Sequence, residues 1–217
     1  MALTLYYHPL SSFCWKVLTA LYENKTPFTP LLINLGDKDS AQKLLDVWPM
    51  GEFPVLKDTQ RNQIIPQSSS VIEYLDLHYT GPSRLVPSDP ELALETRRWS
   101  EFFDTYLQVH MQKIVADVMR PDEKKDFTGV SSARDYITSA YVILEERLKG
   151  RQWIVGDTFT MADCSACPAL YYGNLVEPLG NKYPSVASYL ERLKQRPSFA
   201  RVVEEAQPYF HFFPYKG

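Results

Sequence analysis

Leu3-Thr4-Leu5-Tyr6-Tyr7, followed by Ser11-Ser12-Phe13-Cys14-Trp15-Lys16-Val17-Leu18, is the stretch on which the fold turns. Leu3, Leu5 and Tyr7 recur at every second residue and so share one face of a strand. Cys14, Val17, Leu18 and Leu21 recur at helical spacing. A strand therefore runs through a short turn into a helix that opens at Ser11 and Ser12. Unpaired backbone N–H groups and the positive end of the helix dipole stabilise an anion there, a thiolate included, and a Ser hydroxyl adds one more donor. Ser11 to Cys14 has the spacing of a Cys-x-x-Cys frame with Ser in the first place. Taken alone, these residues read first as a folding signal, because Ser is a common N-cap and Cys14 falls on the apolar face.

Working outward, Leu31-Leu32-Ile33-Asn34-Leu35 is short, continuous and apolar, the pattern of a buried strand. Phe53-Pro54-Val55-Leu56 and Gln63-Ile64-Ile65 follow as short strands around the polar turn from Lys57 to Asn62, and Val71, Tyr74, Leu75 and His78 form a helical stripe. This is a βαβ start, then a hairpin and a helix, an α/β sandwich over residues 1–80. Thr80-Gly81-Pro82-Ser83 and Pro87-Ser88-Asp89-Pro90 break both periods and mark a linker over 81–89. Residues 90–217 read as all-α. Asp89 caps a helix with Pro90 in its first turn, and Trp99, Phe102, Phe103, Tyr106, Val109 and His110 supply its apolar face. A second helix is expected from Ser131 or Ser132 to Gly150, and two more after Pro184-Ser185 and Pro197-Ser198.

Composition narrows the functional classes. The chain has 217 residues, 45% of them hydrophobic, which is ample for a packed core. Its net charge is −3, and no basic run exceeds short pairs such as Arg97-Arg98. Nucleic acid is thus an unsupported partner. Cys14, Cys164 and Cys167 form no disulfide framework, which points to a reducing compartment. With no basic-then-apolar leader at the start and no long apolar run, the expected location is the cytoplasm and no membrane is expected as partner. Thr160 and Asp163 can form a capping box for a buried helix, which is a folding signal and no catalyst.

Four segments in this order resemble the cytosolic glutathione transferases. Tyr7-His8-Pro9-Leu10-Ser11-Ser12-Phe13-Cys14-Trp15-Lys16 is similar to the active-site turn of the serine-type classes, with some likeness to the zeta class, although Phe13 stands where that class has Cys. Gly51-Glu52-Phe53-Pro54-Val55-Leu56 and Pro66-Gln67-Ser68-Ser69-Ser70 are the second and third. The fourth is Phe159-Thr160-Met161-Ala162-Asp163, with Tyr183-Pro184 to Arg196-Pro197 after it. The resemblance implies a thioredoxin-like α/β domain, a linker and an all-α domain, with glutathione as co-substrate, no metal, and a homodimer.

It also implies roles. Ser11 would donate to the glutathione sulfur, with Ser12 and Tyr7 as the alternatives; Gln67 and Ser68 would meet the γ-glutamyl carboxylate. Phe53 and Pro54 would form a cis-proline turn that pairs with the cysteinyl backbone. An apolar electrophile is expected between the domains, against Tyr106 and His110 on the long helix and Phe210 and Phe212 in the aromatic tail. Glu52 and Trp48 depart from the family pattern near the glycine end of glutathione, where Lys38 and Lys43 are possible substitutes. The implied activity is glutathione conjugation. A glutathione-dependent cis-trans isomerase acting on maleylacetoacetate-type substrates and a non-catalytic carrier of apolar ligands are the alternatives.

Overall fold

A computed structural model of the protein describes residues 2–215. Strands β1 (Leu3–Tyr7), β2 (Thr29–Leu32), β3 (Val55–Asp58) and β4 (Gln63–Pro66) form one sheet in the order β2-β1-β3-β4. β1 and β2 are parallel, with Tyr6 opposite Leu31. β1–β3 and β3–β4 are antiparallel, with Leu5 opposite Leu56 and Leu56 opposite Ile65.

The alternation in β1 has the expected result. Leu3 and Leu5 face helices α1 (Ser12–Glu23) and α3 (Ser68–His78), meeting Leu18, Leu21, Val71 and Leu75 in the main core. Tyr6 faces the other way, into a small cluster with Ile33, Val55 and Leu44. Leu44 belongs to α2 (Lys38–Leu45), a helix the sequence reading does not contain. Asp37 caps it by accepting from the Ser40 N–H at 2.7 Å, but Leu44 is its only buried residue, too little to show as a periodic stripe.

The second strand also differs from expectation. It begins at Thr29, two residues before Leu31, and lies at the sheet edge with Thr29, Pro30 and Leu32 exposed. An edge tolerates Pro30, which has no N–H to give to a ladder. Only Ile33, whose N–H donates to the Tyr7 carbonyl at 2.8 Å, enters the core as a buried strand residue would.

Past His78 the described residues form no strand. Helix α4 (Pro90–Phe102) starts at the Asp89 cap as expected, the Asp89 carboxylate accepting from the Leu92 N–H at 2.9 Å. It runs without a break through a π segment, Phe103–Gln108, into α5 (Val109–Val118). Helix α6 (Phe127–Leu148) starts earlier than expected because Asp126, and neither Ser131 nor Ser132, is its cap. Helices α7 (Met161–Val176), α8 (Pro184–Lys194) and α9 (Pro197–Ala206) follow, then a 3-10 turn over Gln207–Phe212.

Helix α7 begins at the Thr160–Asp163 capping box. The Asp163 carboxylate accepts from the Thr160 N–H at 2.8 Å, the Ile154 N–H at 3.2 Å and the Tyr189 hydroxyl at 2.5 Å. Helix α1 packs against α3, α7 and α9, and its Leu18 and Leu21 share the core of Leu3 and Leu5. Trp15, wholly buried, fills that junction among the rings of Tyr171, Tyr172, Phe199 and Phe210.

Candidate active site

The site grows out of the turn that ends β1. The Ser11 N–H donates to the His8 carbonyl at 3.0 Å, closing the turn, and Ser11 becomes the N-cap of α1. Its Oγ accepts from the Cys14 N–H at 3.3 Å. That contact occupies a lone pair, and the hydroxyl proton is left to point elsewhere. Ser12 is buried, and its Oγ has no partner among the described residues.

Cys14 is wholly buried. Burial pushes its thiol up to about 12, outweighing the neighbouring Ser11 side chain and His8 backbone, which pull the other way. It stays protonated at neutral pH, unsuited to the redox role that a resolving cysteine would have. Burial raises Tyr7 too, helped by Tyr209 and Glu205; its ring packs on the main core and lines neither cavity of the site.

Two cavities meet at Ser11. The first, about 310 Å³, is lined by Ser11, Phe13, Leu35, Trp48, Gly51, Glu52, Phe53, Pro54, Pro66, Gln67, Ser68 and Gln112. The Phe53–Pro54 bond is cis. Gln67 precedes α3 with φ 71° and ψ 122°, in a region that non-Gly residues seldom occupy. It sets Ser68, the first residue of α3, on the cavity wall, at the end of the helix whose first N–H groups have no partner within it. Lys38 and Lys43 do not line this space, and no Lys or Arg does so among the described residues; Trp48 and Gln112 are there instead.

Behind the wall, Lys16 is fully buried with its Nζ 2.6 Å from Ser69 Oγ, 2.6 Å from Asp104 Oδ2 and 3.1 Å from Ser100 Oγ. This network fastens the first turn of α3 to α1 and to the π segment.

The second cavity, about 330 Å³, is lined by His8, Leu10, Ser11, Ser12, Phe53, Met111, Gln112, Val115, Ala116, Met119, Tyr172 and Phe213. Ser11, Phe53 and Gln112 border both spaces. The structure does not bring the four expected electrophile residues here. Tyr106 lies in a separate cleft with Trp99, Phe102 and Ile143, and His110 stacks on Tyr136 at 4.2 Å between centroids. Phe210 packs against Trp15, Tyr171 and Tyr172, while Phe212 is largely exposed beside His211.

The buried face of the long helix is Thr96, Ser100, Phe103, Leu107, Met111 and Ile114, at ordinary helical spacing, and it runs about one position away from the expected stripe of Trp99, Phe102, Tyr106, Val109 and His110. In the tail the 3-10 turn delivers Phe213 to the cavity. Steps of four from Phe103 through Leu107 would have reached Met111 and Val115, but the aromatic Tyr106 and the apolar Val109 offer a competing stripe.

Comparison with known proteins fits this geometry. Residues 5–83 match the family model described as glutathione S-transferase, N-terminal domain, and residues 106–197 match the glutathione S-transferase C-terminal domain. The chain is 25% identical to the glutathione S-transferase GstB of Escherichia coli over 87% of its own length and 91% of that protein. It is 27% identical to a probable maleylacetoacetate isomerase of Caenorhabditis elegans, covering 94% of each. Among solved structures, a glutathione S-transferase of Methylobacterium radiotolerans in complex with glutathione sulfonate superimposes with a TM-score of 0.81 at 26% identity, over 93% of this chain and 94% of that one. With both halves matched in order around a serine-capped thioredoxin-like turn, the chain belongs to the glutathione S-transferase family.

Proposed function

We propose that the protein is a glutathione transferase, in which Ser11 stabilises the glutathione thiolate and an apolar electrophile is held beside it. The observation that carries this is the position of Ser11 on the border of two cavities, one of mixed polarity facing the α3 N-terminus, the other mostly apolar. Glutathione fits the first. Its γ-glutamyl carboxylate would meet the N–H groups at Gln67 and Ser68, and its cysteinyl backbone would pair with Phe53 beside the cis Pro54. The sulfur then lies at Ser11. A thiol of pKa about 8.5 is only a few per cent thiolate at pH 7, and lowering it by about two units makes the anion the majority. Rate would come from that shift and from proximity to the electrophile.

In this reading residues 1–80 hold glutathione, 81–89 link, and 90–217 supply most of the electrophile wall. The cleft of Trp99, Phe102, Tyr106 and Ile143, an exposed apolar surface outside the site, supports a homodimer in which a second copy covers it. The odd, unpaired cysteines support the cytoplasm as location; no helix of the described residues is long and apolar enough to cross a membrane.

The isomerase alternative has a relative's name behind it, but a dicarboxylate substrate finds no Lys or Arg on the electrophile cavity among the described residues. Mass spectrometry of glutathione with an apolar alkyl halide tests the reading. Adduct formation at the expense of glutathione, dependent on Ser11, supports it; conversion of a maleyl-type cis olefin to its trans isomer without loss of glutathione, tested alongside, means isomerisation. No turnover that depends on Ser11 leaves the carrier.

A further inference from the structure

The electrophile cavity contains a polar group that thiolate formation does not use. His8 Nδ1 accepts from the Leu10 N–H at 3.2 Å, within the same turn that Ser11 closes. An imidazole nitrogen that accepts carries no proton, so in the neutral ring the proton is on Nε2. Burial lowers the His8 pKa below its ordinary 6.5, which keeps the ring neutral at pH 7. The ring is held on its other side by Phe53, stacked at 5.9 Å and 17°. No hydrogen bond to Nε2 is made by the described residues. A fixed, neutral N–H donor thus stands on the wall of a mostly apolar cavity, whose other polar side chains besides Ser11 are Ser12 and the exposed Gln112, with Ser11 at the far end of its own four-residue turn.

We infer that His8 is a catalytic residue for one class of electrophile, neutral apolar α,β-unsaturated aldehydes and ketones, whose carbonyl oxygen accepts from His8 Nε2. This inference rests on the transferase reading. In the step, the thiolate sulfur forms a bond to the β-carbon, the C=C pair shifts toward the carbonyl carbon, and the C=O pair moves onto oxygen. The enolate oxygen is stabilised by the His8 N–H, which keeps its proton. Water then protonates the α-carbon and the C=O re-forms, so the adduct gains the proton that the thiol gave to solvent. A neutral imidazole polarising a carbonyl is sound chemistry because the donor need not be recharged after each turnover. The oxygen is required: an alkyl halide has nothing for Nε2 to hold. The charge on the substrate is also constrained, since no cationic side chain among the described residues lines the cavity.

The test compares 2-hexenal with benzyl chloride, with glutathione as co-substrate, for wild type, His8→Phe and His8→Gln. Phe keeps the stacking on Phe53 without the donor; Gln keeps an N–H. The ratio of kcat/KM for hexenal to that for benzyl chloride is expected to fall about a hundredfold in His8→Phe, the size of effect seen when one donor to a developing oxyanion is removed. His8→Gln should restore part of it. An unchanged ratio in His8→Phe, or wild type that converts the halide but not the enal, overturns the inference while the transferase reading stands. Wild type that forms no glutathione thiolate and converts neither substrate overturns the transferase reading, and this inference with it.

Discussion

Lys16 Nζ lies 2.6 Å from Asp104 Oδ2 with the lysine side chain wholly removed from solvent, so helix α1 of the α/β part is ion-paired to the π segment of the helical part. The same nitrogen reaches Ser69 in the first turn of α3. Removing one partner of a buried pair leaves an uncompensated charge, which typically costs about 3–5 kcal/mol. Asp104→Ala should therefore lower unfolding stability by about 3 kcal/mol in urea, and Lys16→Met with Asp104→Leu should recover most of it. A fall of less than about 1 kcal/mol in the single variant would show the pair to be solvated in solution.

Asp163 is the corresponding fixture inside the helical part. With no exposed surface it receives two backbone N–H groups and the Tyr189 hydroxyl, all buried with it. Asp163→Ala strands those donors at about 1–3 kcal/mol each. The variant is expected to be largely unfolded at 37 °C by circular dichroism, whereas Thr160→Ala, which removes a single hydroxyl, should stay folded.

Much of this frame is legible in the sequence because it depends on local rules. Leu3, Leu5 and Tyr7 alternate, Asp89-Pro90 starts a helix, and Thr160 with Asp163 writes a capping box. Each is decided within a few residues. What escapes is decided at a distance or by one residue of register. Leu44 alone buries α2, and β2 is an edge strand only because β1 pairs with β3 on its other side. The first cavity shows the same division. Ser11, Phe53, Pro54, Gln67 and Ser68 sit in turns with their own signatures and do line one space. Met111 and Val115, which line the second cavity, follow the buried face of the long helix, about one position away from Tyr106 and His110.

That displacement is itself testable. Val115→Trp places a large ring in the second cavity and should lower kcat/KM for apolar electrophiles about tenfold or more while the bound glutathione thiolate is unaffected. His110→Ala, in a residue that stacks on Tyr136 outside both cavities, should change electrophile KM by less than about twofold. Steady-state kinetics with two electrophiles of different size reads both.

Acid stability should report the contact of α1 with α9. Burial pushes the Glu23 carboxyl up, but hydrogen bonds from Arg196, Ser198 and Ser83 and the Arg196 charge outweigh it and hold the group below its ordinary 4.5. A carboxyl with a depressed folded pKa contributes stability that is complete above its unfolded value and is lost as pH falls through the folded one. Wild type should lose this contribution below about pH 4.5. Glu23→Gln should be less stable at pH 7 and decline less steeply with acid. Equal slopes in urea denaturation across that range would count against the assignment.

The thiolate is the centre of the account, and its ultraviolet absorbance measures it directly. Glutathione bound to the purified protein should titrate with a thiol pKa well below the ordinary value of about 8.5. Ser11→Ala should return it toward that value, with Ser12→Ala having the smaller effect. A bound thiol that titrates like free glutathione in wild type, or one that ignores the loss of Ser11, would contradict the account.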